Sequence, residues 1–308
     1  MVFNYVTIAR PLPTTFYAKS GSGLVRALEQ RDLAMAQRDL TVFGPQALTN
    51  FVAVLGDQFG LAAWLIPIGL VYGVITATRR HATIWLLLVL IVVPFAMGLT
   101  APQRLKLTNE RYVPQLIAIA AVLAAIGTTP LVRVLQRAQA QRPFVRHTLV
   151  IMPILLTFAI ASRTPERAQD FAIGVKNINE LHVALGQWIN RHVPVDAVVG
   201  TNDVGAMAYF GRRRILDLEG LVSPEALAFR GVGRGLQVVE TFQPDYLAIF
   251  PHWYPEIAAQ SDRFHLICRA TIRDNQVAAG NEFLVLQTPW ARAPLLQSPS
   301  TEACLQSY

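Results

Sequence analysis

Four long apolar runs without a charged residue dominate the first half of the chain, and short charged clusters separate them. The runs cover residues 61–78, 83–100, 113–131 and 148–162. A bilayer core needs about 20 residues of helix, with a range of about 17 to 25. The pattern predicts about four transmembrane helices, the last of them short. A soluble helical core is the alternative, but the rest of the chain is too small to cover four such helices.

The pattern changes after residue 162, where apolar and polar positions mix as they do in a globular domain. Apolar residues recur every three or four positions from Phe171 to Ile189, which predicts a helix that Pro194 ends. Further helical and strand-like segments then alternate. The predicted strands are 197–200, 215–218, 246–250, 264–272 and 282–287. We expect a C-terminal extracytoplasmic α/β domain over residues 163–290 and a disordered tail over 291–308.

Residues 1–60 are predicted to form a loop outside the membrane. Pro11 and Pro13 precede a predicted helix start at Thr14 or Thr15, where a hydroxyl can cap free amides. Residues 24–40 carry apolar positions at helical spacing among charges, which indicates an amphipathic helix on the membrane surface. An ordinary exposed helix fits the same pattern.

Basic residues predict the orientation of the runs, because Lys and Arg are retained on the cytoplasmic side. The connections after the first and third runs contain no acid and hold Arg79, Arg80, Arg133, Arg137, Arg142 and Arg146. Both termini are then extracytoplasmic, which predicts a multi-pass protein of the cell membrane. No signal peptide precedes the first run, so we expect the chain to be the back part of a longer protein.

Composition supports this division and narrows the classes of function. The chain is 53% hydrophobic and 15% charged, whereas soluble domains carry about 25% charged residues. The net charge of +7 lies beside the apolar runs, as in membrane proteins, so we predict no nucleic-acid partner. The His and Cys positions show no ligand spacing, which predicts no metal site. Cys268 and Cys304 are interpreted as unpaired thiols, with a disulfide as the alternative.

Three segments carry a resemblance to a known family. Residues 13–19, Pro-Thr-Thr-Phe-Tyr-Ala-Lys, resemble the "PNT-x-YAK" loop of bacterial GT-C membrane glycosyltransferases, with Thr14 where Asn is usual. Residues 110–114, Glu-Arg-Tyr-Val-Pro, are similar to the "RY-x-x-P" of these proteins at the outer mouth of a late span. Residues 202–210 and 216–221 look like their closing extracytoplasmic domain. The segments occur in the expected order.

The resemblance implies a polyprenyl-phosphate-dependent enzyme of the mannosyl- or arabinosyltransferase kind. Such enzymes transfer a sugar from the lipid donor, at the outer face of the membrane, to a glycan, lipid or protein acceptor. Their catalytic base is an acidic residue in the first outer loop. We expect that loop to be absent from this sequence, so no catalytic residue is assigned, and no cofactor is predicted.

The same resemblance, with the charge pattern, suggests a donor site and an acceptor site. Cations in outer segments pair with an anionic phosphate. The predicted donor residues are Lys19, Arg104, Lys106, Arg111 and Tyr112. Anchoring to lipid headgroups, or a place in the aromatic belt for the tyrosine, is the alternative.

Acidic residues at predicted strand ends are expected to form the acceptor site, because ligand sites of α/β layers gather there. These residues are Asp203, Asp217 and Glu219. A helix cap is the preferred interpretation of Asp203 alone. The aromatic segment 252–254 has two interpretations, a sugar-stacking platform and packing on the membrane, and the second is preferred.

Two other classes of function compete with the transferase. A non-catalytic membrane-anchored module would bind a glycan or a partner through its outer domain. A transporter is the weakest of the three, because the predicted spans contain no ionisable residue to couple ions.

Overall fold

The computed structural model describes residues 14–19, 23–76, 80–100, 113–139, 164–229 and 234–296, with five single positions between 151 and 162. Contacts divide the chain into two compact units. The helical unit lies within Ser20–Arg167. The α/β unit comprises the helix Thr14–Lys19 and the described residues from Ala168 onward.

Seven α-helices are described between residues 14 and 139. They are α1 (Thr14–Lys19), α2 (Leu24–Glu29), α3 (Leu33–Arg38), α4 (Gly44–Phe59), α5 (Leu65–Thr76), α6 (Arg80–Thr100) and α7 (Pro114–Gln139). A π-helical turn, Asp39–Phe43, joins α3 to α4, and a 3-10 helix, Gly60–Trp64, joins α4 to α5. Gly60 ends α4 because its φ of 55° lies in the left-handed region.

The remaining elements include both helices and strands. They are α8 (Thr164–Asn177), a π-helical turn (Ile178–Val183), α9 (Ala184–His192), β1 (Val198–Thr201), α10 (Val204–Gly211), β2 (Arg214–Asp217), a 3-10 helix (Pro224–Ala228), α11 (Arg234–Phe242), β3 (Tyr246–Ile249), α12 (Pro255–Ala258), β4 (His265–Thr271) and β5 (Glu282–Gln287).

Among the described residues, two helical runs are long and apolar enough to cross a membrane. They are Leu33–Thr76, which includes the break at Gly60, and Pro114–Arg137. Ile84–Thr100 is a shorter apolar helix. The first run begins well before the predicted span 61–78. Most of the predicted span 148–162 lies outside the described residues.

The predicted surface helix over residues 24–40 is two helices rather than one. Arg31 adopts a φ of 55° between α2 and α3, which interrupts the helical backbone. Leu28 and Leu33 are exposed, and no residue of α3 is buried. The exposed leucines fit an interfacial position as well as an ordinary surface one.

Glycine allows α5 and α7 to approach closely. A Cβ at Gly69 would lie 1.8 Å from the carbonyl oxygen of Leu123, and one at Gly127 would lie 2.0 Å from the carbonyl oxygen of Leu65. Gly69 and Gly73 form a G-x-x-x-G pair on α5, the spacing that lets membrane helices meet backbone to backbone.

The α/β unit is built on one five-stranded sheet in the order β2-β1-β3-β5-β4. The first three strands are parallel, and β5 pairs antiparallel with β3 and with β4. Alternate residues of β3 enter the cores on opposite faces of the sheet, Tyr246 and Ala248 on one and Leu247 and Ile249 on the other. The sheet is therefore covered on both faces, and the predicted α/β domain is confirmed.

The helices divide between the two faces. α9 and α10 pack on one face through Leu185 and Met207, and α11 and α12 pack on the other through Val239 and Ile257. The chain runs from β1 through α10 to β2, and then from β2 through α11 to β3 on the opposite side of β1. The strand order thus reverses between β1 and β3.

The cysteine prediction needs a correction. Cys268 on β4 is buried and takes part in a disulfide, so the preferred interpretation of two unpaired thiols is wrong. Composition alone did not indicate this, because two cysteines define no disulfide framework.

Candidate functional site

The carboxyl ends of the parallel strands carry the polar side chains of the α/β unit. Asn202 and Asp203 follow β1, Glu219 follows β2, and His252 follows β3. In open α/β sheets ligands bind outside these strand ends, at the point where the strand order reverses. We name this region the carboxyl edge.

Asp203 does not cap the helix that it precedes. Its backbone stands at the N-cap of α10, but its side chain makes no capping hydrogen bond there. Oδ2 lies instead 2.8 Å from Nε2 of His182, while the Asp203 side chain is 44% exposed. The preferred interpretation of Asp203 as a cap is therefore wrong, and its carboxylate stays accessible at the carboxyl edge.

His182 was not identified from the sequence. It lies on the π-helical turn Ile178–Val183, and its ring contacts Phe250 and Phe283 with centroids 6.0 Å away in each case. Its side chain is 3% exposed. Nδ1 has no hydrogen-bond partner among the described residues, and Nε2 meets Asp203 as a close contact rather than a well-directed hydrogen bond.

Asp217 organises the loop after β2. Its side chain is fully buried, and its two oxygens accept hydrogen bonds from the backbone N–H groups of Glu219, at 2.9 Å, and Val222, at 2.7 Å. Burial raises the pKa of the Asp217 carboxyl, although these N–H donors act in the opposite direction. Asp217 therefore shapes the loop from inside and presents no oxygen to solvent.

Glu219 is held in a polar network at the end of that loop. Oε1 accepts a hydrogen bond from the Tyr254 hydroxyl at 2.6 Å, and Oε2 pairs with the guanidinium of Arg234. Burial and the neighbouring carboxylate raise the pKa of Tyr254 above its usual range. Gly235 is required beside it, since a Cβ there would lie 2.1 Å from the tyrosine ring.

The segment 252–254 divides between two roles. Tyr254 is buried in the network just described, whereas His252 and Trp253 are exposed. Both exposed rings adjoin Phe250, with centroids 5.8 and 6.3 Å from it. Asn202 links the ends of β1 and β3, because its Oδ1 accepts the N–H of Phe250 at 3.4 Å.

The predicted donor residues lie beyond what the structure describes. Arg104, Lys106, Arg111 and Tyr112 fall outside the described residues, and α1 is described without the side chain of Lys19. The donor site therefore stays a prediction.

Sequence reasoning also missed Asp39 in the helical unit. Its side chain is fully buried at the start of the π-helical turn Asp39–Phe43. Its described partner is Arg38, whose Nε lies 4.0 Å from Oδ1, and neither carboxylate oxygen accepts a hydrogen bond from the part of the chain that the structure describes. A buried carboxylate without such bonds is rare in proteins. Asp39 precedes the first predicted span, so the pattern of apolar runs did not point to it.

A family model described as a domain of unknown function, DUF8728, matches residues 176–291. The match begins in α8 and contains all five strands and the residues of the carboxyl edge. No curated protein and no solved structure matches the chain.

Proposed function

We propose that the chain is the C-terminal portion of an integral membrane glycosyltransferase. It would transfer a sugar from a polyprenyl-phosphate donor to an acceptor outside the cytoplasm, as the three resembling segments imply. The apolar helical runs Leu33–Thr76 and Pro114–Arg137 support the membrane part of this proposal.

The observation that carries the proposal is the contact of one resembling segment with the element that follows another within the α/β unit. Helix α1, from the segment 13–19, packs beside the 3-10 helix Pro224–Ala228. That 3-10 helix begins three residues after the segment 216–221 ends. Tyr17 of α1 is buried. The N-terminal resembling segment thus packs on the α/β unit close to a second segment that carries the resemblance.

The proposed location of the α/β unit is extracytoplasmic. The disulfide of Cys268 supports it, because disulfides persist in oxidising compartments. The basic connections after the first and third apolar runs support the same orientation.

At the carboxyl edge, we assign acceptor contact to Asp203 and a positioning role to Asp217. Asp203 offers an exposed carboxylate. Asp217 holds the backbone of the loop from which Glu219 projects. Glu219 would contact an acceptor only if Tyr254 or Arg234 released the Glu219 oxygen that it binds.

A non-catalytic binding module is the second candidate. Two of the acidic residues favour this candidate. Asp217 is buried, and both carboxylate oxygens of Glu219 already bind protein partners. Such groups suit a rigid binding surface better than proton transfer.

Binding of the donor is tested with the full chain in nanodiscs of phosphatidylethanolamine and phosphatidylglycerol. Polyprenyl-phosphate mannose and arabinose, labelled in the sugar, should bind above the level of empty nanodiscs, and a nucleotide sugar should not. Arg111→Gln should reduce donor binding far more than the matched change Arg10→Gln. Equal binding to filled and empty nanodiscs would remove the transferase proposal. Saccharide binding without donor binding would favour the module.

Orientation is tested separately with reporter fusions. A reporter after Arg80 or Arg142 should be cytoplasmic, and one after Trp290 should be outside. A cytoplasmic signal from the Trp290 fusion would reverse the proposed topology.

A further inference from the structure

An apolar groove lies on the surface of the helical unit between α5 and α7, with a volume of about 450 Å³. Its apolar lining includes Ile68, Val71 and Ile75 from α5 and Pro130 from α7. Thr76 also borders the groove, but its hydroxyl donates a hydrogen bond to the carbonyl oxygen of Tyr72 at 2.7 Å. The groove therefore offers an apolar wall to its occupant.

The contacts between α5 and α7 show that these helices run in the same direction. Gly127 of α7 lies against Leu65 and Gly69 of α5. Later in both helices, the guanidinium of Arg133 lies over the ring of Tyr72. Residue numbers thus rise together along the pair, and the C-terminal ends of both helices lie on the same side of the helical unit. The basic residues that follow both helices predict that this side is cytoplasmic.

Arg133 places a positive charge at this end of the groove. Its guanidinium carbon lies 5.4 Å from the centroid of the Tyr72 ring, and Tyr72 also lines the groove. Arg133 is exposed, and no carboxylate of the described residues lies within ion-pairing distance of it. Contact with an aromatic face leaves the N–H groups at the edge of a guanidinium free to donate elsewhere. Arg133 can therefore bind an anion next to the apolar wall.

The occupant that fits this groove combines a hydrocarbon part with a negative charge. An anionic phospholipid carries both, because its acyl chain matches the apolar wall and its phosphate accepts hydrogen bonds from a guanidinium. Basic side chains at the cytoplasmic end of a membrane helix attract such headgroups. A second copy of the chain fits less well. A symmetric contact through the groove would bring two Arg133 side chains together, and their like charges would repel.

We propose that the groove between α5 and α7 binds an anionic phospholipid of the cytoplasmic leaflet. One acyl chain lies against Val71, Ile75 and Pro130, and the phosphate bonds to Arg133. This site is at the opposite face of the membrane from the proposed sugar transfer, so its lipid is a bound component of the helical unit and not the sugar donor. The inference depends on the membrane location of the helical unit, and it does not depend on the transferase activity.

The experiment titrates the full chain in detergent with phosphatidylglycerol or with phosphatidylethanolamine and measures bound lipid by native mass spectrometry. Phosphatidylglycerol should bind more tightly, because it carries a net negative charge. Arg133→Gln should weaken its binding on the order of tenfold, since charge-assisted hydrogen bonds to the phosphate are lost. Arg137→Gln is the matched control and should have a much smaller effect, because Arg137 is exposed one turn later on α7 and does not line the groove.

A second pair of variants tests the groove itself. Val71→Trp fills the groove and should remove most of the phosphatidylglycerol binding. Val92→Trp places the same side chain on α6 and should not, although Val71 and Val92 are similarly exposed, at 57% and 56%. Far-ultraviolet circular dichroism of each variant verifies that the fold is intact.

Four results would overturn the inference. Three of them are equal binding of the two lipids, equal weakening by the two arginine variants, and unchanged binding in Val71→Trp. The fourth is a lipid-free dimer that Val71→Trp dissociates, because the groove would then bind a second copy of the chain.

Discussion

The two units of this protein differ in how they distribute large apolar side chains between the inside and the surface. The α/β unit buries its largest side chains, including Tyr246, Phe250 and Phe283, each without exposed surface. The helical unit also buries large residues such as Phe51 and Leu123, but small residues such as Gly69 form its close backbone contact, and many of its large apolar side chains are exposed. Ile75 is 75% exposed and Trp85 is 67% exposed.

The difference fits the proposal that the helical unit lies in a membrane and the α/β unit in water. In water, the removal of large apolar side chains from the solvent drives folding, so these residues gather inside. In a lipid bilayer that driving force is absent between helices, and close packing of small residues takes its place. The two distributions in one chain are what a membrane region followed by an aqueous domain would produce.

The largest expected effect comes from a large residue of the α/β core. Phe283→Ala should lower the free energy of unfolding by about 4 kcal/mol, because it leaves a cavity against Phe250, whose ring centroid lies 4.3 Å away. Thermal unfolding followed by tryptophan fluorescence measures the change. Phe171→Ala, at a residue 68% exposed, is the control and should change the value by less than about 0.5 kcal/mol. Similar losses for both would contradict an aqueous core of this kind.

In the helical unit, enlarging a small residue should lower stability, whereas in the α/β unit removing a large one does. Gly69→Ala should destabilise the pairing of α5 and α7 by about 3 kcal/mol, because its new Cβ would overlap the backbone of Leu123. Gly56→Ala is the matched control, since nothing lies within 4 Å of a Cβ there. It should stabilise α4 by up to about 1 kcal/mol through helix propensity. Unfolding in detergent mixtures measures the change in stability of both variants. Unchanged stability in Gly69→Ala would contradict the idea that close packing of small residues holds the helical unit together.

Asp245 tests how the α/β unit carries a buried charge at the amino end of β3. Burial alone would raise its pKa, but hydrogen bonds from Arg292 and from the N–H of Val198 hold the pKa at about 2. Because the folded pKa lies below the unfolded value, the stabilisation is complete above about pH 4 and is lost as the pH falls towards 2.

The corresponding variant is Asp245→Asn, which should lose about 2 kcal/mol at pH 7 and much less at pH 2. Hydrogen exchange at the Val198 amide measures this, because that N–H donates to Asp245. Asp262→Asn is the control and should leave exchange unchanged. The same loss for Asp245→Asn at both pH values would mean that the effect is steric.

Asp39 is the contrasting charge in the helical unit, buried without a hydrogen bond from any residue that the structure describes. Asp39→Asn should raise the stability of this unit by about 1 kcal/mol, because it removes an uncompensated buried charge at constant shape. Asp32→Asn is the control, since either residue accepts the capping hydrogen bond from Met35. A loss of stability in Asp39→Asn would show that the carboxylate has a partner that holds it in place.

Local sequence patterns predicted the elements of the α/β unit closely. The expected strand at 246–250 is Tyr246–Ile249, and the expected strand at 282–287 is Glu282–Gln287. The patterns failed for α4, whose Gln46, Asn50 and Asp57 break the apolar run although the helix continues. Helical backbone hydrogen bonding tolerates such residues, whereas a search for uninterrupted apolar stretches does not.

The candidate site was predictable only in part, for a related reason. Strand ends drew attention to Asp203, Asp217 and Glu219, and all three follow or end parallel strands. Nothing in the sequence distinguished the buried Asp217 from the exposed Asp203. The difference depends on whether a loop closes over the side chain. At Asp217 it does, because the backbone N–H groups of Glu219 and Val222 donate to the carboxylate.

The sequence by itself determined that the chain has an apolar helical part and an α/β part, because hydrophobic periodicity and turn residues act over a few positions. Only the tertiary structure decided the strand order β2-β1-β3-β5-β4, the contact of Gly69 with α7 and the meeting of His182 with Asp203. Each of these joins segments that are separate in sequence. Their pairing depends on the packing of complete elements, which no local pattern encodes.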